Sequence, residues 1–114
     1  VKIKILGKVW DLKFVNHLGY EGPIEQQNLV WGDCSDPNQP NKTIRIRRGI
    51  SELESEECKL AVFIHEFQHA AEWSKDEEYV RKFGEDLARY LWRLGYRQDP
   101  EIRKKIEGTI YDGK

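Results

Sequence analysis

The sequence has few of the features that would commit it to a membrane, to an oxidising compartment or to nucleic acid. Its longest apolar runs, such as "KLAVFI" at residues 59–64, are far too short to span a bilayer. Methionine is absent, and without an initiating residue we expect a trimmed or truncated chain. The opening "VKIKILGKVW" has no apolar signal core and no small-residue cleavage site, so no export signal is expected. Only two cysteines occur, Cys34 and Cys58, too few for a disulfide framework. One disulfide is open to them, but two buried free thiols suit a reducing compartment better, and the expected location is cytoplasmic. Neither sign of charge dominates: 19 basic residues face 20 acidic ones, for a net charge of −1. That balance gives no long-range attraction to nucleic acid or an anionic membrane, so neither is expected as a partner. Histidine is scarce as well, with three in 114 residues.

What is present describes one water-soluble domain over residues 1–114. Apolar residues make up 39% and charged residues 34%, a globular rather than disordered balance. No internal repeat appears, and the chain divides into a strand-like half and a helical half. "VKIKILGKVWDLKFV" alternates apolar and polar residues about Gly7-Lys8, which predicts a β-hairpin with one buried face. "NHLGYEGPIEQQ" is rich in turn formers and reads as a loop. "NLVWGDCSDPNQPNKTIRIRRGI" predicts a strand, a Pro/Asn/Asp turn and a second strand over residues 43–48. Arg45, Arg47 and Arg48 there read as the solvated face of an edge strand, where charge discourages aggregation, rather than as a phosphate patch.

From Ser51 onward the signals are helical. Ser51 with Glu54 has capping-box spacing, and Ser55 before Glu56 and Glu57 offers a second N-cap. A helix is predicted over 55–73, anchored to the core by Leu60, Phe63, Ile64 and Phe67. A second follows in "DEEYVRKFGEDLARYLWRLG", with Val80, Phe83, Leu87, Tyr90, Leu91 and Leu94 at helical spacing and Gly95 as the stop. Asp99-Pro100 begins a short third helix that Gly108 ends. The fold class is α+β: a small, mostly antiparallel N-terminal sheet packed on two long helices, with a short C-terminal helix. Trp73 and Trp92 are expected in helix packing.

Within the first long helix stands "AVFIHEFQHAAEW". His65 and His69 lie one turn apart on the same helix face, where two imidazoles can meet one zinc ion. Glu66 lies about 100° around the helix from His65. Its carboxylate is therefore offset from the ligand direction and suited to act as a general base toward water. About one chain in a few hundred of this length would carry HExxH by chance, so the surrounding apolar helix matters to the reading.

A catalytic zinc takes three protein ligands and keeps a fourth position open. His17 sits in a loop, without register to support it. Glu72 shares the helix face but lies about 10 Å along the axis from His65, too far to grip the same ion. Glu77, three residues before Val80, falls on the stripe that packs against the first helix, where a carboxylate is costly unless a charge meets it. It is the preferred third ligand, with Glu78 in reserve and Asp76 as the N-cap; the ordinary alternative for Glu77 is a first-turn acid favoured by the helix dipole. Two alternatives to an enzyme stay open. One is a closed Cys₂His₂ zinc that draws in Cys34 and Cys58. The other is a non-catalytic domain with a structural metal or a protein-interaction role.

On "FIHEFQHAAEW", "DEEYVRKFGEDLARYLWRLG" and the strand-rich half ending in "KTIRIRRGIS", the chain resembles small zincin-like metallopeptidases of the gluzincin kind. More narrowly, it looks like short metallopeptidase-like proteins encoded by phages and prophages, distant relatives of ImmA/IrrE-type proteins. The resemblance covers about the last two-thirds of the chain, and only HExxH is a specific motif. It implies Zn²⁺ held by His65, His69 and an acid of the DEE run, with Glu66 as base and a peptide or protein as substrate. It further implies that the strand at 43–48 is the edge along which an extended peptide lies. Only seven residues separate His69 from Glu77, and no motif marks an oxyanion-stabilising residue, for which Tyr79, Tyr90 and His17 are equal candidates.

Overall fold

Alternating apolar and charged residues build the sheet in the computed structural model, which describes residues 1–21, 28–49 and 55–108. β1 (Lys2–Ile5) and β2 (Lys8–Val15) form an antiparallel hairpin. The turn falls on Leu6-Gly7, one residue earlier than expected. Both residues have positive φ, 50° and 79°, the left-handed pair that matches strand twist in a two-residue hairpin. β3 (Tyr20–Glu21) and β4 (Asn28–Leu29) make a separate two-stranded ladder. β5 (Gly32–Cys34) and β6 (Thr43–Arg47) complete the main sheet in the order β1-β2-β6-β5. Two of its three pairings are antiparallel; β2 with β6 is parallel.

The strand at 43–48 is therefore not an edge. β6 lies between β2 and β5, and β5 is the edge strand instead. The arginines mislead because they mark a face rather than an edge. Arg45 points outward and is ion-paired to Asp33, while Arg47 lies over the Trp31 ring at 5.6 Å. Charge on the outer face of an inner strand gives the same alternation as charge on an edge.

The inner face carries Ile5, Trp10, Phe14, Ile44 and Ile46, all buried, with Ile3 and Leu12 partly so. On it lies α1 (Glu56–Ala71), capped by Ser55, whose side chain accepts from the Cys58 N–H at 3.1 Å. The Ser51–Glu54 capping box lies outside the described residues. Of the four expected anchors only Phe63 joins the core, edge-on to Phe14; Leu60 and Ile64 are half-buried and Phe67 is exposed. The sheet-facing stripe is Lys59, Val62, Phe63, Glu66 and Ala70. Two of these are charged, so hydropathy places the stripe one residue off.

α2 (Glu77–Arg93) packs along α1 through Val80, Gly84 and Ala88. A methyl group at Gly84 would touch Ala61 O and His65 N at 3.5 Å each, so these small residues let the helices run close. Phe83, Tyr90 and Leu94, expected in this stripe, are exposed. Gly95, at φ 91°, ends the helix as expected. α3 (Pro100–Glu107), capped by Asp99 and ended by Gly108, is tied to α1 by a buried Lys59–Glu107 ion pair. Among the described residues the architecture is α+β, a four-stranded sheet and a two-stranded ladder with three helices. Among the described residues no helix is long and apolar enough to cross a membrane.

Candidate metal centre

Helical periodicity sets the first two groups of the site. His65 and His69, one turn apart on α1, bring their Nε2 atoms to 3.0 Å. The third group comes from the tight α1–α2 connection. Asp76 caps α2, accepting from the Tyr79 N–H at 3.3 Å, which fixes the phase of the first turn. Glu77 then faces α1. Its two carboxylate oxygens lie 2.8 Å from His65 Nε2 and 2.8 Å from His69 Nε2. The three side chains form the one cluster of potential metal donors among the described residues.

The other candidates stand elsewhere. Glu78 is exposed and ion-paired to Lys82 at 3.3 Å. Glu72 is the exposed C-cap of α1 and accepts from Gln68 Nε2 at 3.3 Å. His17 is exposed in its loop, and neither cysteine joins the cluster.

The donor set fits a zinc ion. Two imidazole nitrogens and a carboxylate are common zinc ligands, and bonds of about 2.0–2.2 Å in a tetrahedron separate neighbouring donors by about 3.3 Å. The observed 2.8–3.0 Å needs an opening of only a few tenths of an ångström. Burial lowers the His65 pKa, and His69 acts in the same sense, while Glu77 opposes them. The neutral imidazole that results is the form that binds metal. Both histidines are partly buried but Glu77 is 70% exposed, so one side of the cluster faces solvent.

That side opens into a cleft of about 980 Å³, walled by α1, α2 and β5. Glu66, only 6% exposed, lines it beside the cluster. Gly32 is what lets it fit: a Cβ there would stand 3.0 Å from Glu66 Cγ, 3.1 Å from its Oε2 and 3.2 Å from the Arg45 carbonyl. A side chain at 32 would require the Glu66 side chain or the Arg45 carbonyl to give by a few tenths of an ångström. Gly32 went unrecognised in the sequence because it sits in an unremarkable strand, with no signal that a glutamate would press on it. Trp73, expected in helix packing, is instead exposed at the cleft, edge-on to His69 at 6.4 Å between ring centres. Trp92 is half-buried, with the Arg97 guanidinium over its ring at 3.3 Å.

Comparison with family models, with curated proteins and with solved structures finds no match.

Cys34 is a free thiol on the cleft wall, and Cys58 lines the same cleft. Burial pushes the Cys34 thiol up to about 12, with Glu66 and Asp33 adding to the rise, and its Sγ donates to Ser35 O at 3.3 Å. A raised folded-state pKa favours the protonated thiol. Its contribution to stability is present below pH 9.0, the ordinary value, and fades as pH climbs toward 12. Alkylation of Cys34 at pH 8 should be at least about tenfold slower in the folded chain than in denaturant, because the thiolate is the nucleophile. Mass mapping of the modified peptide checks this; equal rates would place the thiol in open solvent.

Proposed function

We propose that the chain is a zinc-dependent peptide hydrolase of minimal zincin-like, gluzincin-type construction. The observation that carries this reading is the convergence of His65, His69 and Glu77 beside a buried Glu66 at an open cleft. Zinc bound by His65, His69 and Glu77 would supply Lewis acidity to polarise a carbonyl and acidify water. His65 and His69 serve as neutral donors on a rigid helix, and Glu77 adds the negative charge that a dication favours. Glu66, held by Gly32 and α1 beside this cluster, takes a proton from water and returns it to the leaving amine. An extended peptide would lie along β5. In the antiparallel register Trp31 and Ser35 bond to β6, so the backbone groups of Gly32 and Cys34 point to the open edge beside the cleft.

A second reading has a specific observation behind it. The 2.8 Å contacts from Glu77 to both imidazoles are also hydrogen-bond lengths, as for two Nε2–H donors on one carboxylate. In that case the pair of histidines and the acid hold α1 to α2 without metal. Elemental analysis after dialysis against zinc separates the two. The hydrolase reading expects one zinc per chain, lost in His69→Ala and reduced in Glu77→Ala. Because Glu77 is exposed, chelation should lower the melting temperature only modestly, whereas a structural metal would take much of the folding free energy with it. A parent protein that holds no zinc removes the hydrolase proposal.

A further inference from the structure

α2 is apolar over a wider arc than α1 covers. Val80, Gly84 and Ala88 are buried, yet Tyr79 (49% exposed), Phe83 (43%), Tyr90 (61%) and Leu94 (57%) form a second stripe that faces solvent. Tyr79 and Phe83 stack at 6.1 Å at one end of the stripe. We infer that this stripe is a self-association surface, on which α2 of a second copy of the chain packs antiparallel.

Two features favour a second copy over an unrelated partner. A twofold interface must be complementary to itself. The stripe has that symmetry: Tyr79 and Leu94, and Phe83 and Tyr90, stand at equal distances on either side of the midpoint between Asp86 and Leu87. An antiparallel copy with its axis there sets Tyr79 against Leu94 and Phe83 against Tyr90. The charges are divided in the same way. Residues 76–86 carry Asp76, Glu77, Glu78, Glu85 and Asp86 against Arg81 and Lys82, whereas 87–97 carry Arg89, Arg93 and Arg97 and no acid. Antiparallel pairing brings each acidic end to a basic end; parallel pairing would set like against like.

The stripe offers roughly 400–500 Å² per copy, from large side chains of about 150–250 Å² exposed by half. A stable interface buries about 800 Å² per partner, so the dimer is weak, with dissociation in the micromolar range. Glu77 lies about 160° around α2 from Tyr79, which leaves the cleft open in the dimer.

The full chain, followed by sedimentation and light scattering from about 5 to 500 µM, should move from 13.5 kDa toward twice that mass. Phe83→Lys and Tyr90→Lys should each weaken association at least about tenfold, with far-UV helix content unchanged because both positions are exposed. Because each acidic end meets a basic end, association should weaken as salt rises from about 50 to 500 mM, the reverse of what apolar contact alone produces. A chain that is monomeric throughout, as it would be if another protein covers this face, overturns the inference. So does a dimer indifferent to Phe83→Lys, or one that tightens as salt rises. None of these readouts depends on zinc or hydrolysis.

Discussion

Glu66→Gln is expected to retain zinc and to lose peptide hydrolysis by about 10²–10⁴-fold, the range for removing a positioned general base. The substitution suits the site because glutamine keeps the volume and shape of the side chain. Gly32 still leaves room for it, and the buried position still receives a polar group. What disappears is the ability to take a proton. The loss should appear in kcat, with zinc stoichiometry unchanged, whereas His69→Ala should lose metal and activity together. The comparison needs a peptide library, because the site does not specify side chains. Cleavage by Glu66→Gln at the parent rate would remove Glu66 from the mechanism whatever the metal does.

Glu107→Ala should be the most damaging change remote from the cleft. Lys59 and Glu107 are 1% and 4% exposed, and Glu107 also accepts from Gly49 N at 3.4 Å and is ion-paired to Arg103 Nε at 3.4 Å. Removing the carboxylate leaves a buried ammonium unpaired, at a cost of about 3–5 kcal/mol. For a chain of this size that lowers the melting temperature on the order of 10–20 °C. Burial already pushes the Lys59 pKa down while Glu107 holds it up. Without Glu107 the folded-state value falls further below 10.5, so the folded state disfavours the proton. The deficit is then greatest at neutral pH and shrinks as pH rises toward 10. Lys59→Met combined with Glu107→Leu should recover most of the loss, since apolar replacements of a buried pair are often neutral. Urea and thermal melts test both. A Glu107→Ala protein within 1 kcal/mol of the parent would mean that water reaches the pair.

Local rules made much of the chain legible. Ser55, Asp76 and Asp99 cap their helices through side-chain bonds to backbone N–H groups, an interaction confined to one turn. Alternation marked β1, β2 and β6 because a strand with one buried face repeats every two residues. His65 and His69 share a face by helix geometry alone, and Glu77 could be chosen over Glu78 because its phase follows from Val80.

Other features depend on which segments become neighbours, and no local rule encodes that. That β6 is central and β5 the edge follows from strand order, since charged outer faces look alike in either place. Gly32 acquires its role only when β5 meets α1, and Lys59 can be buried only because Glu107, 48 residues away, arrives beside it. The uncovered stripe of α2 reflects the width of α1, which is too narrow to bury every apolar residue on the facing helix. Spacing along the chain thus settled the helices, their caps and the three converging donors. Long-range packing settled which wall each faces, because the free energy of burying a charge or an aromatic ring is set by its neighbours in space.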